Sequence, residues 1–152
     1  MTSPATIVVH GGAGRWTEHR ERGRDACLRA ARAGQSVLRD GGTAVDAAIA
    51  AVVVLEDDPA CNAGTGAVLR SDGSVEHDAS VMDGLTRTSG ALGSLRGYKN
   101  PILIAEQVRS DGRFHLLVGD GAASFAKDHE AVRAESSGPT PAPAVDRGET
   151  VG

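Results

Sequence analysis

A stretch of small and branched apolar residues at positions 43–55 constrains this chain most strongly. Thr43 is a helix-capping residue, and Asp46 lies three residues later, where it completes a capping-box-like pair. The apolar positions that follow recur at intervals of three and four and predict one helical stripe: Ala44, Ala47, Ala48, Ala51, Val52 and Leu55. Because most of this stripe is alanine, the helix can lie close to its neighbour, and we expect a closely packed core.

The composition agrees with one globular domain built mainly from aliphatic residues. The chain has 152 residues, 40% of them hydrophobic and 24% charged, which excludes a disordered tail, a coiled coil and a collagen-like fibre. Aromatic residues make up only 3%, so valine, leucine, isoleucine and alanine must fill the core. The 20 glycines indicate many positions where the backbone leaves no room for a side chain.

Charge and hydropathy exclude several classes of partner. The net charge is −4 and no Lys/Arg-rich face stands out, so we expect no nucleic acid partner. No apolar run reaches the length of about 18 residues that a membrane span needs.

The cysteines and the first residues bear on the cellular compartment. Cys27 and Cys61 form no disulfide or zinc pattern, which favours a reducing compartment. Residues 1–5 show no signal-peptide pattern, and we expect a cytoplasmic protein.

The remaining patterns predict an α+β chain of layered sheet and helices rather than a dinucleotide-binding fold. Helices are predicted at 18–39, 43–55, 101–108 and 121–130, and strands at 6–10, 67–70, 75–82, 86–92 and 114–118. An Asp-Gly pair at 72–73 predicts a hairpin between the second and third of these strands. Residues 136–149, rich in Ser, Gly, Pro, Ala and Thr, are expected to form a linker after a domain at 1–135.

Two glycine-containing segments are candidate sites. The first is HGGAG at 10–14, where converging backbone N–H groups are typical of an anion cradle or an oxyanion hole. No Gly-x-Ser-x-Gly elbow accompanies it, and a tight packing turn is the stronger alternative. The second is the loop at 55–66, whose irregular backbone suits a hard cation held by carbonyl oxygens. Its alternative is a helix-ending loop with an Asn turn.

Acidic residues gather around the predicted hairpin. Asp72, Glu76, Asp78 and Asp83 lie on or beside it, and paired carboxylates are able to perform acid/base catalysis. Glu76 and Asp78 share one strand face, however, which is more typical of a solvated surface. His77 falls on the opposite face, and we expect it to pack rather than to react.

Four motifs together resemble the plant-type asparaginase/isoaspartyl peptidase family. They are HGGAG at 10–14, LEDDPACNAGTGAV at 55–68, DGSVEHDASVMDG at 72–84, and TVG at 150–152. The middle part, from NAGTGAV to DASVMDG, is the most specific. The TVG motif carries meaning through its position after the linker.

The resemblance implies an N-terminal nucleophile hydrolase with an αββα sandwich, of which this chain holds the α-subunit half. Such a precursor cuts itself before a threonine, which then starts the β subunit and becomes the nucleophile. The motif places this residue at Thr150 and the cleavage site between Glu149 and Thr150. The implied substrates are L-asparagine and β-aspartyl dipeptides, and the implied assembly with β subunits is an (αβ)₂ dimer.

The resemblance also implies roles for the α half. Asn62 matches the family's asparagine near the nucleophile, and Gly11 and Gly12 match a turn beside the cut site. It implies no organic cofactor. A structural sodium ion is implied, held by the backbone carbonyls of Leu55, Glu56, Asp58, Cys61, Ala63 and Thr65.

Two departures from the family pattern affect these expectations. The family usually has glycine before the threonine, whereas Glu149 stands here, and we expect it to slow self-cleavage. An acid also stands at this point in the related glycosylasparaginases, where it could act as a base. The sequence given ends three residues into the β subunit, so we expect it to be inactive alone. A glycosylasparaginase or threonine aspartase remains an alternative, as does a non-catalytic fragment that pairs with a β chain or binds a small anion.

Overall fold

The computed structural model describes residues 5–13 and 20–134. Four helices and three strands follow one another along the chain: α1 (Arg20–Arg39), α2 (Ala44–Asp57), β1 (His77–Asp83), β2 (Thr88–Leu95), α3 (Pro101–Asp111), β3 (Leu116–Val118) and α4 (Asp120–Asp128). A 3₁₀ turn, Gly64–Gly66, lies between α2 and β1. Among the described residues, no helix combines the length and apolarity needed to cross a bilayer.

Helix α2 begins with the predicted capping box. The Asp46 N–H donates to Thr43 Oγ1 at 3.1 Å, and the Thr43 N–H donates to Asp46 Oδ2 at 2.9 Å. These bonds satisfy N–H groups that the first turn of a helix leaves without intrahelical partners, which is why the helix starts here.

The buried surface of α2 differs from the predicted single stripe. Ala47 and Ala51 are buried, but Ala44 and Ala48 are exposed. A second row packs against the core of the sheet: Val45, Ile49, Val52 and Val53. Of these four residues, only Val52 belonged to the predicted stripe. Helix α2 is therefore covered on two sides, because α1 lies against it as well.

Small residues allow α1 and α2 to approach closely. The buried residues of α1 are Gly23, Ala26, Ala30 and Gly34. A Cβ atom at Gly34 would lie 2.7 Å from the Ala47 carbonyl oxygen and would collide with the Ile7 side chain. The predicted close packing of helices is confirmed at this crossing.

The sheet has the order β1-β2-β3, with β1 antiparallel and β3 parallel to β2. The pairing of Val81 with Gly90 places both on the face that α3 covers. A Cβ at Gly90 would collide with the Ala105 carbonyl and the Arg109 N–H of α3, so glycine is needed for this close approach. The core on this face also includes Leu92, Leu95, Ile104 and Phe125.

The opposite face of the sheet exposes apolar side chains. Met82, Leu116 and Val118 are 65%, 58% and 55% exposed. They belong to the face that the register sets opposite Val81 and Leu92. No described helix or strand covers them.

Two predicted strands are wrong. Residues 6–10 and 67–70 have no strand assignment, since no described segment forms a ladder with them. In the second segment, the Val68 N–H is held by the Asn62 side chain. The turn at 70–74 does form, with a 2.9 Å bond from the Arg70 N–H to the Ser74 carbonyl. The predicted hairpin between residues 67–70 and 75–82 is therefore wrong, because strand β1 pairs with β2 instead, through a turn at 84–87.

The other predicted elements are confirmed with shifted ends. The strand at 86–92 is β2, the helix at 101–108 is α3, the strand at 114–118 is β3 and the helix at 121–130 is α4. The chain is thus mixed α/β with a small sheet. The predicted linker at 136–149 lies outside the described residues.

Candidate active-site face

The glycine turn predicted as a site lies against α1. A Cβ at Gly11 would lie 2.7 Å from the Cys27 sulfur, so the backbone of the turn packs on that side chain. Gly12 has a φ of +94°, a left-handed conformation that glycine adopts without strain, and its N–H donates to His10 Nδ1 at 3.2 Å. Gly14, the last residue of the motif, lies outside the described residues.

Asn62 lies in the loop that follows α2. Its side chain is exposed, and Oδ1 accepts the Val68 N–H at 3.0 Å. This bond closes the loop across the Gly64–Gly66 turn. It uses the carboxamide oxygen and leaves the NH₂ group as a donor.

The backbone of this loop is packed on its own glycines. Gly64 has a φ of +52°, and a Cβ there would collide with the Glu56 carbonyl. A Cβ at Gly66 would collide with the Cys61 carbonyl and lie 2.7 Å from that of Pro59. Carbonyl oxygens therefore converge on the two glycines.

Three further carbonyls of the predicted cation loop accept local hydrogen bonds. Leu55 accepts from the Asp58 N–H at 3.3 Å, Asp58 from the Cys61 N–H at 3.0 Å, and Ala63 from the Gly66 N–H at 3.1 Å. Each carbonyl oxygen has two lone pairs, so one such bond leaves a second acceptor site.

The loop is also tied to α1 and holds one of the two cysteines. The Arg29 guanidinium forms an ion pair with the Asp58 carboxylate. Cys61 is buried, Cys27 is half-buried, and both are free thiols. Burial raises the pKa of the Cys61 thiol, and the neighbouring Asp58 carboxylate acts in the same direction.

Glu56, at the end of α2, is the one charged side chain among the buried residues described. Oε1 accepts the Ile102 N–H, at the start of α3, at 3.1 Å. Oε2 has no hydrogen-bond partner among the described residues. Burial raises the pKa of Glu56 to about 7, although the bonds from Ile102 and Asn100 oppose this shift.

Sequence reasoning assigned only the backbone carbonyl of Glu56 and missed its side chain. A signal was present, because position 56 follows Val52 by four residues and so continues the apolar row of α2. A carboxylate in such a row must find a buried partner.

A cavity of about 550 Å³ separates the loop from the start of β1. Its lining includes Glu56, Asn62, Arg70, His77 and Asp78. The cavity therefore joins the predicted Asn62 site to the acidic segment at 72–83. From the sequence alone, these are two separate candidate sites.

The acidic residues of the hairpin region are bound by arginines and backbone groups. Arg70 Nη1 lies 2.8 Å from Glu76 Oε2, and Arg96 Nε donates to Glu76 Oε1 at 2.8 Å. Asp78 accepts the Ser94 N–H at 2.8 Å. These contacts disfavour a pair of catalytic acids, because both carboxylates are already engaged. The Glu76 side chain is only 12% exposed, so the predicted solvated face does not hold for this residue.

His77 is half-buried, as predicted from its strand face. Burial lowers the pKa of its imidazole below the ordinary value, and the nearby Asp78 carboxylate opposes that shift. Within the described residues, no three His, Cys, Asp or Glu side chains gather as a metal-binding group.

The predicted nucleophile and cleavage site, Thr150 and Glu149, lie outside the described residues. The structure thus brings Asn62 and the carbonyl-rich loop to one cavity, and it describes the Gly11–Gly12 turn on α1.

Comparison with known proteins supports the motif-based resemblance. A family model described as asparaginase matches residues 3–140. The isoaspartyl peptidase/L-asparaginase of Macaca fascicularis is 47% identical over 125 residues, and that of Homo sapiens is 46% identical. The plant-type L-asparaginase of Pyrococcus abyssi is 46% identical over 123 residues.

These alignments cover most of this chain but a minor part of each relative. They span 82% of the chain and 41% of the macaque and human proteins, and 80% of the chain and 40% of the archaeal protein. The extent of the family match and the level of identity lead to one conclusion: the chain belongs to the asparaginase family that includes the plant-type L-asparaginases and isoaspartyl peptidases.

Proposed function

We propose that this chain forms the α-subunit part of a threonine-dependent amidohydrolase. In this proposal, a longer precursor cuts itself between Glu149 and Thr150. The assembled enzyme then hydrolyses L-asparagine and β-aspartyl dipeptides to L-aspartate. The observation that supports this most strongly is the 46–47% identity to proteins named isoaspartyl peptidase/L-asparaginase and plant-type L-asparaginase.

The chemistry of threonine explains why cleavage must come first. A threonine hydroxyl is a weak nucleophile at neutral pH, because it holds its proton tightly. A free α-amine, with an ordinary pKa near 8, can accept that proton from the same residue. Cutting the bond before Thr150 creates this amine. Substrate hydrolysis therefore depends on prior self-cleavage.

The geometry around Asn62 supports a role beside the nucleophile. Its side chain is exposed on the cavity lining, and its oxygen is already held by the Val68 N–H. In this proposal, the remaining NH₂ group would donate to the Thr150 hydroxyl or to an oxygen of the substrate. The Gly11–Gly12 turn would lie beside the cut site, where glycine allows close approach of another backbone segment.

The uncovered sheet face supports a β-subunit partner. Met82, Leu116 and Val118 form an apolar surface that needs cover. A second sheet, supplied by the β part of the precursor, would pack on this face and complete an αββα sandwich. Association of two such units into an (αβ)₂ dimer belongs to the same proposal, as does a cytoplasmic location.

A structural sodium ion in the loop after α2 belongs to the same proposal. The close approach of the Glu56 carbonyl to Gly64 and of the Cys61 carbonyl to Gly66 supports it, because backbone oxygens are packed within this loop. The proposed ligands are the carbonyls of Leu55, Glu56, Asp58, Cys61, Ala63 and Thr65. A bound sodium ion would attract the negative ends of these carbonyl dipoles and so hold the loop in shape.

Reconstitution from two chains tests the proposal. Residues 1–149 are co-expressed with a β chain that begins at Thr150, and ammonia release from L-asparagine is measured. We expect turnover that is lost in Thr150→Ala. Turnover that survives this substitution would refute the threonine mechanism, and β-chain binding without turnover would support the non-catalytic alternative.

A further inference from the structure

The start of α3 lacks an N-terminal cap from its own segment. Asn100 stands at the cap position with a left-handed backbone, φ 45°, and its side chain forms no capping bond. Pro101, the next residue, has no N–H. The first backbone donor of the helix that needs an acceptor is therefore the N–H of Ile102.

Glu56 supplies this acceptor from another helix. It is 4% exposed, and Oε1 accepts the Ile102 N–H at 3.1 Å. Asn100 Nδ2 donates to the neighbouring acid, at Asp57 Oδ1, at 3.0 Å. Of the two consecutive acids at the end of α2, only Glu56 accepts a backbone N–H of α3, whereas Asp57 contacts the Asn100 side chain at the surface.

The backbone of Glu56 meets the loop that carries Asn62. Its carbonyl lies so close to Gly64 that no Cβ would fit there. Gly64 is two residues from Asn62, whose oxygen holds Val68. Any displacement of Glu56 would therefore be transmitted to the position of the Asn62 side chain.

Helix α3, whose Ile102 N–H donates the hydrogen bond to Glu56, is itself well buried in the core. Ile102, Ile104, Ala105 and Val108 are all buried in the core that joins the helix to the sheet. A hydrogen bond to its first turn fixes the end of α2 against the most buried helix of the described chain.

We infer that Glu56 is a positioning residue, which caps α3 from the end of α2 and thereby holds the Asn62 loop in its working position. The functional part of this inference rests on the proposed function. The structural part concerns only the described residues and can be tested separately.

The experiment uses the full precursor with four variants. Glu56→Gln keeps a carbonyl acceptor for Ile102, whereas Glu56→Met fills a similar volume without one. Asp57→Ala is the matched control, because it removes the adjacent, exposed acid. Glu56→Asp, whose shorter side chain withdraws the carboxylate from Ile102, replaces Glu56→Met if that variant does not fold.

Amide hydrogen exchange tests the structural part. We expect Glu56→Met to accelerate exchange at the Val68 N–H by at least about tenfold, with α1 amides unchanged. Glu56→Gln and Asp57→Ala should leave both unchanged. Unaltered exchange at Val68, or an equal acceleration in α1, would overturn the inference, because the first shows no coupling and the second shows general destabilisation.

Self-cleavage and steady-state kinetics test the functional part. We expect Glu56→Met to lower the self-cleavage rate and kcat by at least about tenfold with little change in KM, as misplacement of a reacting group does. Rescue by Glu56→Gln is required. A parent-like kcat in Glu56→Met would refute this part. If the parent precursor itself neither cuts nor turns over, the proposed function fails, while exchange at Val68 still decides the role of Glu56.

Discussion

The Asn62 carboxamide combines a structural acceptor with a proposed catalytic donor, and a single substitution separates the two. Asn62→Asp keeps an oxygen for the Val68 N–H but loses the NH₂ group. We expect the reconstituted enzyme to unfold at nearly the parent temperature while kcat falls by roughly 10²–10³-fold, the usual cost of removing a donor from a reacting centre. An unchanged kcat would show that the amide donor plays no part in the reaction.

Burial of His77 predicts a specific dependence of stability on pH. Its pKa is lowered in the folded chain, so the unfolded chain binds the proton more readily. The contribution of His77 to stability should therefore fall as the pH falls below about 6.5, the ordinary histidine pKa, until the folded state is protonated as well. Glu56, whose pKa is raised to about 7, contributes in the opposite direction, so the test compares two proteins that both contain it. In urea unfolding from about pH 5 to pH 8, the free energy of unfolding of the parent should fall relative to that of His77→Gln as the pH falls.

His115, an exposed histidine, provides the control for this measurement. The substitution His115→Gln should leave the pH dependence as it is in the parent. An identical pH dependence of stability in parent and His77→Gln would contradict the assigned effect of burial.

Glu56 and His77 show why single residues are unequally predictable. The strand alternation around His77 is a local pattern, and it predicted the side that packs. The partner of Glu56 is an N–H group 46 positions away. Only the folded chain brings that group to the end of α2, although the acid in an apolar row was visible in the sequence.

At the scale of elements, the crossing of α1 and α2 depends on Gly34. We expect Gly34→Ala to destabilise the chain by about 1–3 kcal/mol, because a Cβ would meet the Ala47 carbonyl and the Ile7 side chain. Gly121→Ala is the matched control, since that glycine lies in α4 with open space at its Cβ. It should be neutral or stabilising by up to about 1 kcal/mol. Equal effects of the two substitutions on urea unfolding would contradict this account of the crossing.

Helices were predicted better than strands for a physical reason. The cap at Thr43 and the proline at the start of α3 act on neighbouring residues, so their signals are local. A strand needs a partner, and the β-like segments at 6–10 and 67–70 find none among the described residues. The Asp-Gly turn formed as expected, yet the hairpin formed one segment later because Val81 and Leu92 supply the buried face.

For the whole molecule, the exposed sheet face is the proposed contact with the β part. We expect Leu116→Lys to prevent stable association of the reconstituted chains, because it would bury an unpaired charge between two sheets. Leu85, in the turn between β1 and β2, is 91% exposed. Leu85→Lys should leave association unchanged, as measured by size-exclusion chromatography of the co-expressed chains. Full association of the Leu116→Lys variant would argue against a sandwich on this face.

The sequence motifs identified the family, but they could not show how its parts are arranged. The loop at 55–68 and the segment at 72–84 carry the resemblance, and the structure places them around one cavity. The covering of the sheet depends on a partner surface that local patterns in this chain do not specify.

The most direct test of the account is the identity of the new chain start after self-cleavage. The precursor that continues beyond Gly152 is purified and incubated, and the N-terminal sequence of its fragments is determined. We predict a fragment that begins at Thr150 and is absent from Thr150→Ala. A precursor that stays intact, or a cut at another residue that persists in Thr150→Ala, would contradict the account.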